Sequence, residues 1–403
     1  MLTVAIAGAG IGGLTTALCL HEYGFAVQVF EAVDQIRPLG VGLNLMPHAS
    51  AVLHGLGLGP ALDETAIRTR CIEYRTRYGH LLQSDPRNVD AGYEAPQYSI
   101  HRGACQLLLL NAVQRRLGAA VIKTGKRLER FTQTTDKATA HFTDGSEYAC
   151  DILIGADGLR SNVRRQLHPD EGALHYEGTM MYRGATETDL VGDGKTMVIA
   201  GDHDLKFVTY PVSESARKLG RSLTNWVAEV RVDQPRHLQD ADWTREGERD
   251  FIDAFGDFTL DALDIVKLMH QTESVTEFPM IDRDPIGCWT DHRVTLLGDA
   301  AHPMYPIGAN GASQAIMDAR QLAKSLESSP GPAGLQAYES LRRPATSRIV
   351  LSNRQSGPEK VLDIAAARLS GPNDRVEDLV TPEELESVAA HYREIAGFTR
   401  SMS

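Results

Sequence analysis

The chain opens with two short apolar runs on either side of a segment with helical periodicity. Residues 4–7 and 26–30 are the apolar runs, and residues 11–20 repeat apolar positions at the spacing of a buried helix face. Residues 8–13 between the first run and the helix read GAGIGG, and Glu31 follows the second run. This pattern predicts strand, glycine turn, helix, strand and acidic residue, the order of a dinucleotide-binding unit.

Each glycine of this turn has a separate expected task. Gly8 permits the tight turn, Gly10 lets the backbone approach a pyrophosphate, and Gly13 lets the helix pack closely on the sheet. The pyrophosphate would accept hydrogen bonds from the free N–H groups at the helix start. Glu31 is placed to accept hydrogen bonds from an adenosine ribose. The motif alone leaves NAD and FAD both open.

Further along the chain the helical and strand patterns continue. Helices are predicted at residues 48–56, 105–117, 312–327 and 333–355, and a hairpin at 139–153 with its turn at Asp144-Gly145. Two buried strands end in polar turns, one at Gly155-Ala156-Asp157-Gly158 and one at Gly298-Asp299. Arg160, Arg164 and Arg165 follow the first of these turns and could attract an anionic cofactor.

Residues 70–100 and 179–232 have a different pattern, with short β-branched and aromatic runs that alternate in polarity. The runs at residues 179–183, 196–200, 206–211 and 223–230 predict an antiparallel sheet inserted after the nucleotide-binding part, and two helices are expected over it at 242–270. Aromatic candidates for a pocket wall are Tyr182, Phe207, Tyr210 and Trp226, although aromatic residues in a sheet usually belong to the core. The segment from residue 357 is expected to form surface helices without chemistry.

Composition restricts the function classes. The 403 residues are too many for one ordinary core, and 42% hydrophobic with 23% charged residues are typical of a soluble globular protein. A net charge of −12 argues against a nucleic-acid partner and against an anionic membrane surface. Five scattered cysteines without a C-x-x-C pair predict reduced thiols in a cytoplasmic protein and no metal site. No apolar run is long enough to span a bilayer.

Three sequence motifs, in the same order along the chain as in a known family, form the basis of a resemblance. The N-terminal GAGIGG with Glu31, the central GADG, and GDAAHP at 298–303 followed by Pro306 and Gly308 resemble the single-component FAD-dependent aromatic hydroxylases, the para-hydroxybenzoate hydroxylase-like monooxygenases. Segments such as IRPLGVGLNL and MYPIGANGASQA are most similar to the phenazine-modifying members, over roughly residues 1–355. The departures are His48, where many relatives have Asn, and Tyr182, where the phenazine enzyme has a tryptophan.

The resemblance implies a fold of class α/β with an α+β substrate region. A Rossmann-type FAD-binding domain (1–70, 100–178 and 285–355) would carry an inserted antiparallel-sheet substrate domain (71–99 and 179–284) and a C-terminal helical tail (356–403). The cofactor-binding residues would be Gly8, Gly10, Gly13, Glu31, Arg102, Asp157, Gly158, Asp299, Gly308, Gly311 and Ala312. The substrate pocket would include Tyr182, Tyr210, Trp226, Pro303 and Met304, with His48 and Tyr210 as candidate catalytic residues.

The implied activity is hydroxylation of a planar aromatic or N-heteroaromatic compound, phenazine-like or hydroxybenzoate-like, through a C4a-hydroperoxyflavin. FAD would be bound tightly and non-covalently, NADH or NADPH transiently, and O₂ consumed, by a monomer or homodimer with no metal. Other flavin oxidations on the same scaffold, such as epoxidation, oxidative decarboxylation or antibiotic inactivation, stay open, as does a non-catalytic flavin- or NAD-binding sensor. A flavin halogenase is disfavoured because its tryptophan-rich G-W-x-W-x-I-P segment is missing.

Overall fold

The computed structural model of the chain describes residues 2–232, 234, 245–260 and 263–396. Its strands, in chain order, are β1 Thr3–Ala7, β2 Ala26–Phe30, β3 Gly42–Leu45, β4 Ile67–Arg68, β5 Cys71–Arg75, β6 Leu81–Pro86, β7 Tyr98–His101, β8 Ile122–Lys123, β9 Leu128–Gln133, β10 Ala138–Phe142, β11 Glu147–Cys150, β12 Ile152–Gly155, β13 His175–Asp189, β14 Thr196–Gly201, β15 Leu205–Pro211, β16 Arg221–Arg231, β17 Thr276–Asp282, β18 Thr290–Asp291 and β19 Val294–Leu296.

The helices complete the element order. They are α1 Ile11–Glu22, α2 Pro47–Gly55, α3 Gly59–Thr65, α4 Arg102–Leu117, α5 Asn162–Leu167, α6 Glu214–Lys218, α7 Ile265–Gln271, α8 Gly311–Ser328, α9 Pro332–Asn353, α10 Lys360–Ala366, α11 Val376–Leu379 and α12 Pro382–Ala396. Short 3₁₀ helices lie at Val89–Ala91, Ala119–Val121, Ile252–Phe255, Gly298–Ala300, Ile307–Ala309 and Gly357–Glu359. None of the helices in the described ranges is long and apolar enough to cross a membrane.

The predicted β1–α1–β2 unit is the centre of a six-stranded sheet. The strand order is β18-β19-β12-β1-β2-β8, and β1 pairs in parallel with both β12 and β2. Val4, Ala5 and Ile6 are fully buried because helices and a second small sheet cover the two faces, as a continuous apolar run requires. The carboxyl ends of β1, β12 and β19 therefore meet at one edge, where ligands bind in such sheets.

The second large sheet has seven strands in the order β17-β13-β16-β15-β14-β5-β6. It is antiparallel except for the β14–β5 pair, so the expected inserted antiparallel sheet is present. The expected domain boundaries fall within strands: β13 continues across residues 178 and 179, and β7 continues across residues 99 and 100. Strand β7 pairs with β3 and β4 in a small three-stranded sheet that joins the two parts.

One secondary-structure expectation differs from the structure. Of the two helices expected at 242–270, residues 242–244 and 261–262 lie outside the described residues, and the described part contains only one α-helix, α7, beside the 3₁₀ helix Ile252–Phe255. Asp264 sets the start of α7, because its side chain accepts a hydrogen bond from the Lys267 N–H.

The C-terminal segment was expected to form surface helices, and the structure shows which of their side chains are buried. Val361, Leu362 and Ala365 of α10 are buried in the hydrophobic cluster beneath the seven-stranded sheet. Tyr392 of α12 is only 2% exposed. The helices are polar on the outside, and a few apolar side chains on their inner faces suffice to bury them against the sheet.

Candidate active site

The glycine turn after β1 separates structural from ligand-binding glycines. Gly8 has a φ of +108°, and a Cβ there would overlap with the carbonyl oxygen of Ala156. A Cβ at Gly13 would overlap with the carbonyl oxygen of Gly8. At Gly10, however, no atom lies within 4 Å of the Cβ position. Gly8 and Gly13 are therefore required by the fold, whereas the space beside Gly10 is open to a ligand.

That space belongs to a cavity of about 410 Å³, the main cavity, between the carboxyl edge of the parallel sheet and the seven-stranded sheet. Cofactor candidates that line it are Gly10, Arg102, Gly158, Asp299, Gly308, Gly311 and Ala312. Glu31 stands beside the glycine turn, where its Oε2 accepts a hydrogen bond of 2.8 Å from the Ala9 N–H. Arg102 begins α4, and its exposed side chain passes Gly40.

Asp299 presents a carboxylate inside the main cavity. Burial by the surrounding protein raises its pKa, and His302 and Arg102 partly offset that effect. The side chain is nevertheless exposed because it faces the cavity space. An acceptor of this kind suits ribityl hydroxyl groups, which can satisfy it with hydrogen bonds without adding charge.

A buried polar network that the sequence did not reveal fixes the turn carrying Asp299. Asp318 of α8 accepts hydrogen bonds from the Gly298 N–H (3.1 Å), from His302 Nε2 (2.6 Å) and from Arg342 Nε (2.7 Å). Its pKa is lowered to about 2, since His302 and Arg342 outweigh the opposing effect of burial. The network thereby connects the Gly298 turn to both long helices, α8 and α9.

The loop before α8 approaches the C-terminal helix. Gly308 has a φ of +67°, and a Cβ there would overlap with the hydroxyl oxygen of Tyr392. Gly311 and Ala312 form the first turn of α8, whose N–H groups point to the main cavity edge. Of the two residues predicted for the substrate pocket here, Met304 lines the cavity, whereas Pro303 is buried outside its wall.

The Asp157-Gly158 turn is divided between two tasks. Gly158 (φ +79°) lines the main cavity, but the Asp157 carboxylate caps α5 by accepting hydrogen bonds from Ser161 Oγ and the Asn162 N–H. Arg164 is buried, pairs with Glu171 and donates to the carbonyls of Ala300 and Ala301. The prediction that Arg164 attracts an anionic cofactor is wrong, because its guanidinium instead supports the backbone next to Asp299.

The seven-stranded sheet forms the floor of the main cavity. The floor is mostly apolar, and its polar groups include Arg183 and Tyr210; the apolar side chains are Ile72, Met181, Met197, Ile199, Val208, Val227 and Phe278. Tyr210 is 5% exposed, and burial raises its pKa to about 12 although Arg183 has the opposite effect. Burial lowers the pKa of Arg183, whose Nη2 donates to the Gly42 carbonyl at 3.3 Å.

Two predicted pocket residues lie on the opposite face of this sheet. Tyr182 stacks on Phe251 with ring centroids 3.8 Å apart, and Trp226 is fully buried and donates to Thr272 Oγ1. Successive side chains of a strand alternate between faces, so Met181 and Arg183 face the cavity while Tyr182 cannot. Tyr182 and Trp226, with Phe207, instead form the core under the 3₁₀ helix Ile252–Phe255 and α7.

His48 is not among the residues that line the main cavity in the described structure. It lies near the start of α2, with Gln314 Nε2 at 3.3 Å from its own Nε2. Burial, and secondarily Arg342, lower its pKa to about 3, so the imidazole is neutral at physiological pH. The structure thus brings Tyr210, but not His48, to the cavity.

Comparison with known proteins assigns this arrangement to a family. The model of the family described as FAD binding domain matches residues 1–352. The chain belongs to this family. Glycine backbone beside open space, an exposed carboxylate at Asp299 and the start of α8 are the features that fit the cofactor of this FAD-binding family.

Curated relatives cover nearly the whole chain. A phenazine 1,6-dicarboxylic acid hydroxylase of Lysobacter antibioticus is 44% identical over 384 residues, which is 90% of this chain and 94% of that protein. A salicylate hydroxylase of Pseudomonas putida is 31% identical over 88% of this chain and 85% of its own length. A 6-hydroxynicotinate 3-monooxygenase of Pseudomonas fluorescens is 31% identical over 80% and 82%.

Solved structures share the fold. Klebsiella pneumoniae HpxO with FAD and uric acid superposes with a TM-score of 0.76 at 23% identity, covering 99% of this chain and 93% of that one. A salicylate hydroxylase substrate complex gives 0.74 at 24% identity, covering 100% and 98%. The predicted resemblance and fold class are confirmed, and the chain is an FAD-dependent monooxygenase that uses NAD(P)H and O₂.

Proposed function

We propose that the protein hydroxylates a planar N-heteroaromatic carboxylic acid of the phenazine type, bound on the floor of the main cavity. The observation that carries this proposal is one cavity with two different walls. Glycine backbone of the FAD motifs lines one side, and an apolar sheet floor with Arg183 and Tyr210 lines the other. A flat aromatic ring fits the apolar floor, and a carboxylate fits a guanidinium beside a phenol hydroxyl.

Arg183 would hold the substrate carboxylate. Its lowered pKa means that burial disfavours its charge, so an anionic group arriving beside it restores favourable interactions. Tyr210 keeps its proton over the physiological range because its pKa is raised, and it can therefore donate a hydrogen bond to the same carboxylate. Tyr210 thus acts here as a binding residue, and His48 has no assigned part.

The floor is longer than a single ring needs. Across the sheet, the cavity-lining side chains Met181, Val227, Val208 and Met197 come from four neighbouring strands (β13, β16, β15 and β14), which span about 14 Å at the usual spacing between strands. This length supports a fused-ring substrate over a hydroxybenzoate. The 44% identity to a phenazine dicarboxylic acid hydroxylase supports the same choice.

FAD would be held by Gly10, Glu31, Arg102, Gly158, Asp299, Gly308, Gly311 and Ala312, with Gly8, Gly13 and Asp157 shaping the turns that bind it. The bound flavin supplies the transfer of one oxygen atom from O₂ after reduction by NAD(P)H. The protein contributes orientation of the ring, exclusion of water and hydrogen bonds. Cytoplasmic localisation, the absence of a nucleic-acid partner and a monomeric or dimeric state stay predictions.

The test is NAD(P)H oxidation by the purified holoenzyme with phenazine-1,6-dicarboxylic acid, salicylate and 6-hydroxynicotinate. We expect stimulation by the phenazine and a product heavier by one oxygen. Arg183→Gln should raise KM about tenfold to a hundredfold, the loss of a charge-assisted hydrogen bond worth about 1.5–3 kcal/mol. Tyr182→Phe, on the opposite face of the same strand, is the matched control and should leave KM unchanged. Equal KM values for the Arg183 variant and the wild type would contradict the assigned anchor.

A further inference from the structure

Three buried charged side chains form a cluster at the far end of the cavity floor, which we call the acid–lysine cluster: Lys206, Glu229 and Glu359. Lys206 and Glu229 are directly paired across β15 and β16, with Nζ and Oε2 2.7 Å apart. Lys206 also forms an ion pair with Glu359, from the 3₁₀ helix Gly357–Glu359. All three residues are less than 9% exposed.

The cluster separates two cavities. Glu229 and Glu359 line the main cavity, and both also line a small outer cavity of about 80 Å³ together with Lys206. The outer cavity is bordered by His203, whose side chain is 55% exposed, and by Asp363. The second oxygen of Glu359 accepts a hydrogen bond of 3.3 Å from the Gly308 N–H, in the loop that we assign to FAD. The carboxylates thus connect the cavity interior with a solvent-accessible site.

Two carboxylates share one ammonium group, so the cluster carries one excess negative charge when both are ionised. Burial raises the pKa of Glu229, and Glu359 raises it further, while Lys206 and Arg183 act in the opposite direction. Such a cluster takes up a proton nearer to neutral pH than an isolated glutamate does. A proton acceptor works best when its pKa is close to the working pH.

Other titratable groups face the cluster from each neighbouring element. On the cavity side these are Arg183 of β13, Arg87 after β6, Tyr74 of β5 and Tyr392 of α12. On the outer side they are Glu177, Asp202, His203, Arg231, Arg354 and Asp363. The charges on the outer side are mixed, so burial, followed by the second carboxylate of the cluster, remains the cause of the raised pKa of Glu229.

Hydroxylation of an aromatic ring generates a proton inside the cavity. The new C–O bond forms at a ring carbon that still carries its hydrogen. Aromaticity returns when that C–H bond breaks, its electron pair re-enters the ring and the hydrogen leaves as a proton. The second oxygen atom of O₂ is reduced to water by the two electrons of NAD(P)H and takes up protons later in the turnover. In a cavity that excludes bulk water, a protein group is needed to take the ring proton in the meantime.

We propose that Glu229 and Glu359, held together by Lys206, accept the proton released from the substrate ring and pass it to the outer cavity. This inference rests on the proposed function, because it needs an aromatic substrate on the cavity floor. Glu229 and Glu359 are the proton acceptors, and Lys206 is a positioning residue. A purely structural cluster, which only ties the C-terminal segment to the sheet, is the alternative that the experiment must exclude.

The first readout needs no turnover. The infrared spectrum of the holoenzyme without substrate is recorded from pH 8 to pH 5 for the wild type and for Glu229→Gln. We expect a protonated carboxyl band in the wild type that appears at a pH above the usual titration range of glutamate and is missing in the variant. Identical spectra would overturn the proposal, whatever the substrate of the enzyme is.

The second readout is the pH dependence of hydroxylated product formation from phenazine-1,6-dicarboxylic acid. Glu229→Gln should lower the rate about a hundredfold, within the usual range for loss of a proton-transfer group, and abolish the decrease of rate at low pH. Glu73→Gln breaks a largely buried ion pair with Arg75 on the opposite face of the sheet and is the matched control: it should lower the Tm but keep the wild-type pH profile. Glu359→Gln, which retains the Lys206–Glu229 pair, replaces Glu229→Gln if that variant does not fold.

The outcomes separate the two proposals. A wild-type enzyme that leaves the phenazine unchanged refutes the proposed substrate, and the infrared titration then decides on the cluster alone. Product formation by the wild type, together with an unchanged pH profile in both glutamine variants, refutes the proton-acceptor role and leaves the proposed function intact.

Discussion

Asp318→Asn tests how strongly the network behind the FAD turn supports the fold. The Asp318 carboxylate is fully buried and connects Gly298, His302 and Arg342. Asparagine has nearly the same shape but carries no charge, and its amide NH₂ cannot accept a hydrogen bond. The substitution therefore leaves the Arg342 guanidinium without the buried negative charge with which it pairs in the wild type.

The magnitude can be worked from the pKa. The folded-state pKa of Asp318 is about 2, compared with 3.8 for the ordinary group. At 1.36 kcal/mol for each pKa unit, the network stabilises the ionised form by about 2 kcal/mol. Removing one partner of a buried ion pair typically costs about 3–5 kcal/mol, because the other charge stays buried. We therefore expect Asp318→Asn to lower the free energy of unfolding by about 2 to 5 kcal/mol.

The sign of the pH dependence follows from the lowered pKa. Stability from Asp318 is fully present above the unfolded-state pKa, near pH 4, and is lost as the pH falls toward the folded-state value of about 2. The difference between wild type and Asp318→Asn should therefore be constant near neutral pH and shrink in acid.

The assay is urea unfolding followed by tryptophan fluorescence and by release of flavin. Glu22→Gln is the control. It breaks the exposed ion pair between Glu22 and Arg320, which lies on the same helix α8 as Asp318, and should change stability by less than about 1 kcal/mol. Asp318→Asn should also release FAD at lower urea concentration, because the Gly298 turn loses a hydrogen bond. A variant as stable as Glu22→Gln at pH 7 would refute the reasoning.

Four further substitutions test separate parts of the account. Gly10→Ala should fold normally but bind FAD at least tenfold more weakly, because its Cβ would occupy only the ligand space. Gly13→Ala should fail to fold, because its Cβ would overlap with the Gly8 carbonyl oxygen. Equal FAD affinities of Gly10→Ala and the wild type in a fluorescence titration would contradict this. Gly308→Ala should displace Tyr392 and cost about 1–2 kcal/mol for its left-handed backbone, and unchanged proteolysis of the C-terminal segment would count against it. Tyr210→Phe should raise KM for the phenazine by roughly tenfold, which corresponds to the loss of one hydrogen bond. The pH profile below pH 9 should stay the same, because the pKa of Tyr210 is about 12. A changed pH profile would show that the phenol titrates.

The FAD half was predictable because its signals are local. A left-handed φ at Gly8 and the close contact at Gly13 restrict those positions to glycine whatever the rest of the chain does. Parallel strands buried on both faces give continuous apolar runs, so β1 and β12 are visible in the sequence. The turn at Gly298-Asp299 follows such a run directly.

The substrate half was only partly predictable, because alternation shows that a strand has two faces but not which face meets the cavity. Of the aromatic residues predicted for the pocket, Tyr182 and Trp226 lie on the face away from the cavity, whereas Tyr210 lies on the cavity face. Arg183, one residue from Tyr182, carried no signal of its own. The acid–lysine cluster joins residues 206, 229 and 359, and a contact over more than 100 residues cannot be inferred from spacing.

The central claim is that the chain inserts one atom of O₂ into an aromatic acid. The most direct measurement is the mass of the product formed from phenazine-1,6-dicarboxylic acid by the FAD-loaded enzyme with NAD(P)H under ¹⁸O₂. We predict a product that has gained one ¹⁸O atom, formed only when NAD(P)H is consumed. A product with oxygen from water, or bound FAD with no hydroxylated product from any aromatic acid of the panel, would contradict the account.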